Sequence, residues 1–257
     1  MSGYKLVNSK ENYPFWTDGE EVFYLIHKIK NADLDSFIVY PDDIQWAKDR
    51  KTVYCMSSPY RNADKDTFEA LNYCFVKDKS NVWTMNGKID KVDVKTFEVC
   101  DNGRVHLGNT TFDDGKLLKI IRPMGYGKDK NNVYYYNGND VKAYKPKIVN
   151  DALPDTFVSM DDGHFGYDEN SVYFQNKKLK NANPKKWKQF EAGSLYSKDK
   201  KVYFENNIIK EADVETFEVI DRFLAKDKNN YFNTDTIISK ERFEELKRIG
   251  DIIVHGI

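Results

Sequence analysis

Residues 128–135 read Lys128-Asp129-Lys130-Asn131-Asn132-Val133-Tyr134-Tyr135. An aspartate among lysine and asparagine is turn chemistry, because its short carboxylate accepts hydrogen bonds from its own backbone two residues on. Valine followed by tyrosines is strand chemistry. The stretch predicts a tight turn feeding a strand, and it recurs. Asp18 precedes Val22-Phe23, Asp49 precedes Val53-Tyr54, Asp78 precedes Val82-Trp83, Asp168 precedes Val172-Tyr173 and, one residue shorter, Asp199 precedes Val202-Tyr203. Asp101 with Val105-His106 and Asp227 with Tyr231-Phe232 are degenerate copies. The spacing is about 30 residues, a period typical of arrays in which no unit can bury its own hydrophobic face.

A second motif keeps step with the first. Ala63-Asp64-Lys65-Asp66-Thr67-Phe68 begins ten residues after Val53, and the same offset holds for motifs starting at Ala32, Val92, Ala182 and Ala212. In the fifth copy the offset grows by nine residues, within 137–151. Asp33, Asp64, Asp93, Asn183, Asp213 and Ser239 are N-cap residue types, and Pro184 suits a first helical position. The motif predicts a single helical turn whose Phe37, Phe68, Phe97, Phe157, Trp187 or Phe217 plugs the core. Asn86-Gly87, Asn137-Gly138, Asn176-Lys177 and Asn206-Asn207 predict type I′ hairpin turns. A third strand, such as Phe217-Glu218-Val219-Ile220, leads to the next aromatic, one of Phe15, Trp46, Phe75, Tyr126, Phe165 and Tyr196.

The expected fold is mainly β. It is a tandem array of about eight three-stranded β-meander repeats with single-turn helices, open and curved like a solenoid. A closed β-propeller is the alternative, ranked second because propeller blades usually have four strands and about 40 residues. Units one to three fall in 1–100, and an aromatic-poor fourth unit in 101–125 forms a bend. Units five to eight, with a cap over 241–257, fill 126–257.

Composition narrows the function. The 40 basic and 41 acidic residues leave a net charge of -1, which carries no global footprint for nucleic acid or membrane. The 17 Tyr, 16 Phe and 4 Trp argue against disorder and supply the core. Cys55, Cys74 and Cys100 form no CxxC pair and read as reduced strand thiols. The N-terminus shows no secretion signal and no apolar run is long enough to span a bilayer, so the expectation is a soluble cytoplasmic protein. His27, His106, His164 and His255 have no metal-ligand spacing. Asp129-Lys130-Asn131-Asn132 lacks the acidic ligands and glycine of a calcium loop. No phosphate-binding glycine loop or nucleophile elbow occurs. Asp42-Asp43, Asp113-Asp114 and Asp161-Asp162 read as solvated turns, and the lysines of 177–188 as protection for an exposed strand edge. No catalytic, cofactor or metal residue is assigned, and the chain is expected not to be an enzyme.

The strings Lys128–Tyr135 and Ala212-Asp213-Val214-Glu215-Thr216-Phe217-Glu218-Val219 resemble the DKNYY repeat family of bacterial proteins, over about residues 15–243. The resemblance implies kinship with proteins encoded beside polymorphic toxins, and hence a cytoplasmic immunity protein that binds and neutralises a cognate toxin domain. The alternative is a general protein- or cell-wall-binding repeat module. The expected partner is a protein, not nucleic acid or membrane, and the free chain is expected to be a monomer. Template positions are committed to packing, so candidate contact residues come from departures. These are Tyr60 in an irregular hairpin, His106 in the degenerate unit, Tyr144 in the insertion, and Asp161 and Asp162 before the sixth unit.

Overall fold

The valine–aromatic pairs of the full copies lie on short strands that pair antiparallel with the strand just before the aspartate turn. Trp46 faces Cys55, Ala47 faces Tyr54 and Lys48 faces Val53. The pattern repeats with Tyr126–Lys128 against Val133–Tyr135 and with Phe165–Tyr167 against Val172–Phe174. The computed structural model describes residues 4–5, 15–40, 45–111, 117–138, 145–160, 163–191 and 193–255. Within them the chain forms small antiparallel sheets in tandem, joined by turns.

A typical sheet has four strands rather than the three expected. The strand that follows each plugging aromatic, such as Glu218–Val219, forms the edge of the next sheet, with Leu224–Lys226, Tyr231–Asn233 and Thr236–Ile238 in sequence order. Sheets at 69–88, 158–178 and 188–209 are built alike. The first sheet, 15–28, has three strands, and the sheet at 38–59 gains Tyr4–Lys5 beside Ile38–Val39.

The fourth unit is not a meander. Arg104–Thr111 and Leu117–Lys128 form a long hairpin whose second strand runs straight into the fifth unit. The described residues therefore hold seven sheets where eight units were expected. The chain divides into two compact units, 1–148 and 149–257, so this hairpin lies within the first. The second unit ends in a helix, Lys240–His255, on which Phe243 is buried against Tyr231 at 4.9 Å.

Four of the valine–aromatic strands are buried on both faces, and this explains their unbroken apolar-aromatic runs. Val53–Cys55, Val82–Thr84, Val172–Phe174 and Val202–Phe204 are buried at every residue. Phe37, Phe68, Phe97, Phe157, Trp187 and Phe217 are all buried, as their shared position predicts. Phe37, Phe97 and Phe217 lie between successive sheets. Phe37 sits 6.0 Å from Phe15 and 5.5 Å from Tyr54, and Phe217 sits 5.7 Å from Tyr196 and 5.4 Å from Phe232. A small residue beneath the ring makes the room. A Cβ on Gly127 would come within 2.6 Å of Phe97 Cζ, and Ala47, Gly166, Ser197 and Ala225 hold the equivalent positions, with Val76 the larger exception. Among the described residues no plug precedes the first sheet. There Trp16 takes the small residue's place and stacks on Phe23 at 4.3 Å, covering the face from within the sheet.

Two turn expectations need correction. The tight hairpin turns lie one residue earlier than expected. Phe174 pairs with Lys177 and Phe204 with Asn207, so Gln175-Asn176 and Glu205-Asn206 are the loop pairs. Positive φ falls on the first residue of each pair, 54° at Gln175 and 53° at Glu205, rather than on both as a type I′ turn requires. That residue's amide is drawn back to the opposite strand: Gln175 N–H donates to His164 O at 2.7 Å and Glu205 N–H to Leu195 O at 2.8 Å. Asn137-Gly138 makes no tight turn, since Tyr135 pairs with Lys147 across the insertion. The expected helical turns are shorter than α-helix. Leu34–Ser36 is a single 3-10 turn, and the copies at 64–67, 93–96 and 213–216 are hydrogen-bonded turns. The plug and the next edge strand follow at once, leaving no room for an i to i+4 ladder.

Candidate functional site

The repeated aspartate is a clasp. In Asp49, Asp78, Asp129, Asp168 and Asp227 its Oδ1 accepts two amides of its own turn and its Oδ2 accepts an amide from the preceding unit. At Asp168 the bonds come from Asn170 N–H at 2.8 Å, Ser171 N–H at 2.7 Å and Leu153 N–H at 2.9 Å, with the Tyr173 hydroxyl at 3.1 Å. Asp49 receives Lys51, Thr52 and Asp33 amides and the Tyr54 hydroxyl, and Asp129 receives Asn131, Asn132 and Asp93 amides and the Tyr134 hydroxyl. Burial, then the Asp49 carboxylate, raises the Tyr54 phenol, so this hydroxyl stays a donor. The second motif closes the other side. Thr67, Thr96 and Thr216 Oγ1 accept the amides of Lys79, Lys130 and Lys228 at 3.1, 3.2 and 3.2 Å. The same lysines' ammonium groups reach Asp64, Asp93 and Asp213 at 2.6, 2.7 and 2.6 Å. Both motifs are thus spent on joining one sheet to the next.

A recess of about 590 Å³ opens where the first sheet meets the second. It is lined by Lys28, Lys30, Asn31, Lys51, Thr52, Tyr54, Ser57, Pro59 and Arg61. Four of these carry positive charge and none is a carboxylate. The return strand His27–Lys28 and its continuation supply Lys28 and Lys30 on either side of buried Ile29, so strand alternation turns both outward. Lys51 comes from the Asp49 turn and Arg61 from the segment after Ser58–Pro59.

The model of the DKNYY family matches residues 46–201 and 196–257. The chain belongs to the DKNYY family. No curated protein and no solved structure matches it. The DKNYY motif is therefore, in this member, the inter-sheet clasp, and the chain is a β-repeat module.

Of the five residues expected at a contact surface, Tyr60 is the one whose side chain the structure describes, and it is packed. Cys55-Met56-Ser57-Ser58 forms a regular hairpin. Tyr60 N–H donates to Val53 O at 2.7 Å, as Ile29 does to Val22 and Leu179 to Val172. It therefore fills the slot of a buried aliphatic. Its ring meets Trp46 and Trp83 edge-on at 5.1 and 5.5 Å, and its hydroxyl donates to Thr84 O at 2.9 Å. Burial pushes its phenol up to about 12. The offset of seven from Val53 to Tyr60, the same as Val22 to Ile29, is the signal that marks this slot in the sequence. His106 lies on the long hairpin opposite Ile121. Tyr144, Asp161 and Asp162 lie outside the described residues.

The recess was not anticipated, although its signal was there. Lys28 and Lys30 flank Ile29, and Lys51 stands where the template has Asn131 or Asn229. Cys55 and Cys74 are buried, and Cys100 is pushed up to about 12, mainly by burial, then by Asp101. Lys177–Lys178 and Lys188–Gln189 are sheet edges with their lysines exposed. Among the described residues no group of three His, Cys, Asp or Glu side chains could hold a metal, and no helix is long and apolar enough to cross a membrane.

Proposed function

We propose that this DKNYY protein acts by contact rather than by chemistry, as a cytoplasmic immunity protein that binds and neutralises a cognate bacterial toxin domain. The observation that carries the contact reading is the clasp. Asp49, Asp129 and Asp168, the residues that an active-site reading of the motif would recruit, have their carboxylate oxygens filled by amides and tyrosine hydroxyls. A general base needs a free lone pair facing substrate. Function then rests with side chains outside the clasp, and a stack of sheets offers an extended face for a protein partner. The toxin as partner is supported by the resemblance of the repeat to proteins encoded beside polymorphic toxins.

The test is co-expression of this chain with the product of its adjacent gene in a cell that this product kills. Survival together with co-purification as a complex supports the reading. Death with no complex, at normal expression of the folded chain, overturns it.

A further inference from the structure

We propose that the recess between the first and second sheets binds a carboxylate-rich polypeptide segment. This deepens the contact reading above, on which it rests, by naming the chemistry of the partner.

The charges around the recess are in excess. At several template positions a lysine is paired in register: Lys128 with Glu98 at 3.4 Å, Lys226 with Glu218 at 3.1 Å, and Lys79, Lys130 and Lys228 with the cap aspartates. At the recess that cap position belongs to Arg50, which pairs with Asp33. Lys51 is left over, with its ammonium on Asn31 O at 3.2 Å. Lys28 is paired with Glu21 at 2.6 Å, on the rim. Lys30, Lys51 and Arg61 are exposed and make no ion pair among the described residues. Three unpaired cations around one concavity repel one another, and an anionic partner relieves that repulsion.

The form of the site selects among anions. Its volume of about 590 Å³ is that of a pocket for several side chains, well beyond one inorganic phosphate. Single-stranded nucleic acid needs aromatic faces on which bases stack. The one aromatic in the wall is Tyr54, which is 1% exposed and bonded through its hydroxyl to Asp49. A long phosphate backbone also needs a basic track, which a chain of net charge -1 confines to a local patch. Two lysines as mobile point charges and one arginine fork, set among Asn31, Thr52 and Ser57, suit spaced carboxylates.

The probe is a short fluorescein-labelled peptide of alternating Glu and Ser, titrated with the full chain at low ionic strength and followed by anisotropy. Controls are the same peptide with Gln for Glu and an oligouridylate of equal length. The groove variant is Lys30→Glu with Arg61→Glu. The charge control is Lys178→Glu with Lys180→Glu, at the template-equivalent strand of the second compact unit. Wild-type chain should bind the acidic peptide and not its Gln counterpart. The groove variant should weaken binding by at least about tenfold with an unchanged melting temperature, and the charge control by less than about twofold. Equal loss in both variants, no binding by the wild type, or tighter groove-dependent binding of the oligouridylate overturns the proposal. In the co-expression assay, survival retained by the groove variant overturns the placing of the partner in this recess and leaves the immunity reading standing. If the wild type gives no survival, the immunity reading falls and the peptide titration still decides the recess.

Discussion

At the scale of single residues the fold rests on carboxylates. Asp168 is 1% exposed and accepts four hydrogen bonds, three of them from backbone amides. Asp168→Ala strands these donors, and a buried donor left unpaired costs about 1–3 kcal/mol. Urea titration should show a loss of about 3 kcal/mol or more, against about 1 kcal/mol for Tyr173→Phe, which removes one hydroxyl proton shared between Asp168 Oδ2 and Asp151 O. The cap aspartates act differently because they face solvent. The ammonium of Lys79 holds the Asp64 carboxyl down at about 2, and that of Lys228 does the same for Asp213. Unfolded aspartate titrates near ~4, so the folded carboxyls bind their protons later as pH falls. Their contribution is complete above about pH 4 and disappears as pH drops toward 2. The melting temperature should fall across that window. Asp64→Asn with Asp213→Asn, which keeps cap acceptors but removes the charge, should flatten the fall. Raising the salt should flatten it too, since exposed pairs are screened. An unchanged slope in the double variant would remove the lysine pairs as its cause.

At the scale of elements the unit is a sheet plus the plug that seals it to the next. The plug needs a ring on one side and a gap on the other. Gly127→Ala puts a methyl 2.6 Å from Phe97 Cζ, on a ring that is 4% exposed and already 5.4 Å from Phe75 and 6.1 Å from Tyr134. Overpacking of this kind costs about 1–3 kcal/mol. Phe97→Leu in the Gly127→Ala background should recover part of that loss by thermal melt, whereas Phe97→Leu alone destabilises. The two effects should therefore fail to add. The plugs were legible in the sequence because one aromatic recurs at a constant offset from valine. The strand after the plug was legible, as at Glu218–Val219, but not that a separate strand, Leu224–Lys226, follows it before the turn, since runs of two or three residues have no alternation to read. The misplaced hairpin turns have a similar cause. Gln175 and Glu205 adopt positive φ because a cross-strand carbonyl captures their amides, a tertiary effect that outweighs residue preference.

At the scale of the molecule, packing is local along the chain. One core joins Phe15, Phe37 and Tyr54, and another joins Trp46, Phe68 and Trp83. A third joins Phe75, Phe97 and Tyr134, while Phe165 to Phe232 form the core of the second compact unit. Arrays coupled through neighbours unfold by parts. Phe217→Ala, which removes a buried ring and costs about 3–5 kcal/mol, should speed amide exchange across 188–238 and leave 46–88 at wild-type protection. Uniform acceleration in hydrogen-exchange mass spectrometry would show a single cooperative unit instead. The recess follows from the same architecture. Lys28 and Lys30 belong to one sheet and Lys51 and Arg61 to the next, so the site exists only where two sheets meet.

By itself the sequence determined the period, the mainly β character, the six buried plugs and the turn role of the aspartates. Each of these is set by local chemistry repeated in phase: β-branched and aromatic residues favour strands, Asp favours turns, and a constant offset puts equivalent side chains at equivalent depth. Tertiary structure alone decided what the second carboxylate oxygen binds, that sheets borrow a strand from the preceding unit, that residues 104–128 form a hairpin instead of a fourth unit, and that Tyr60 is packed rather than free. It also gathered Lys28, Lys30, Lys51 and Arg61 around one recess. These outcomes depend on which residues face each other across 14 to 36 positions of chain, and one-dimensional periodicity carries no information on the partner a side chain meets at that range.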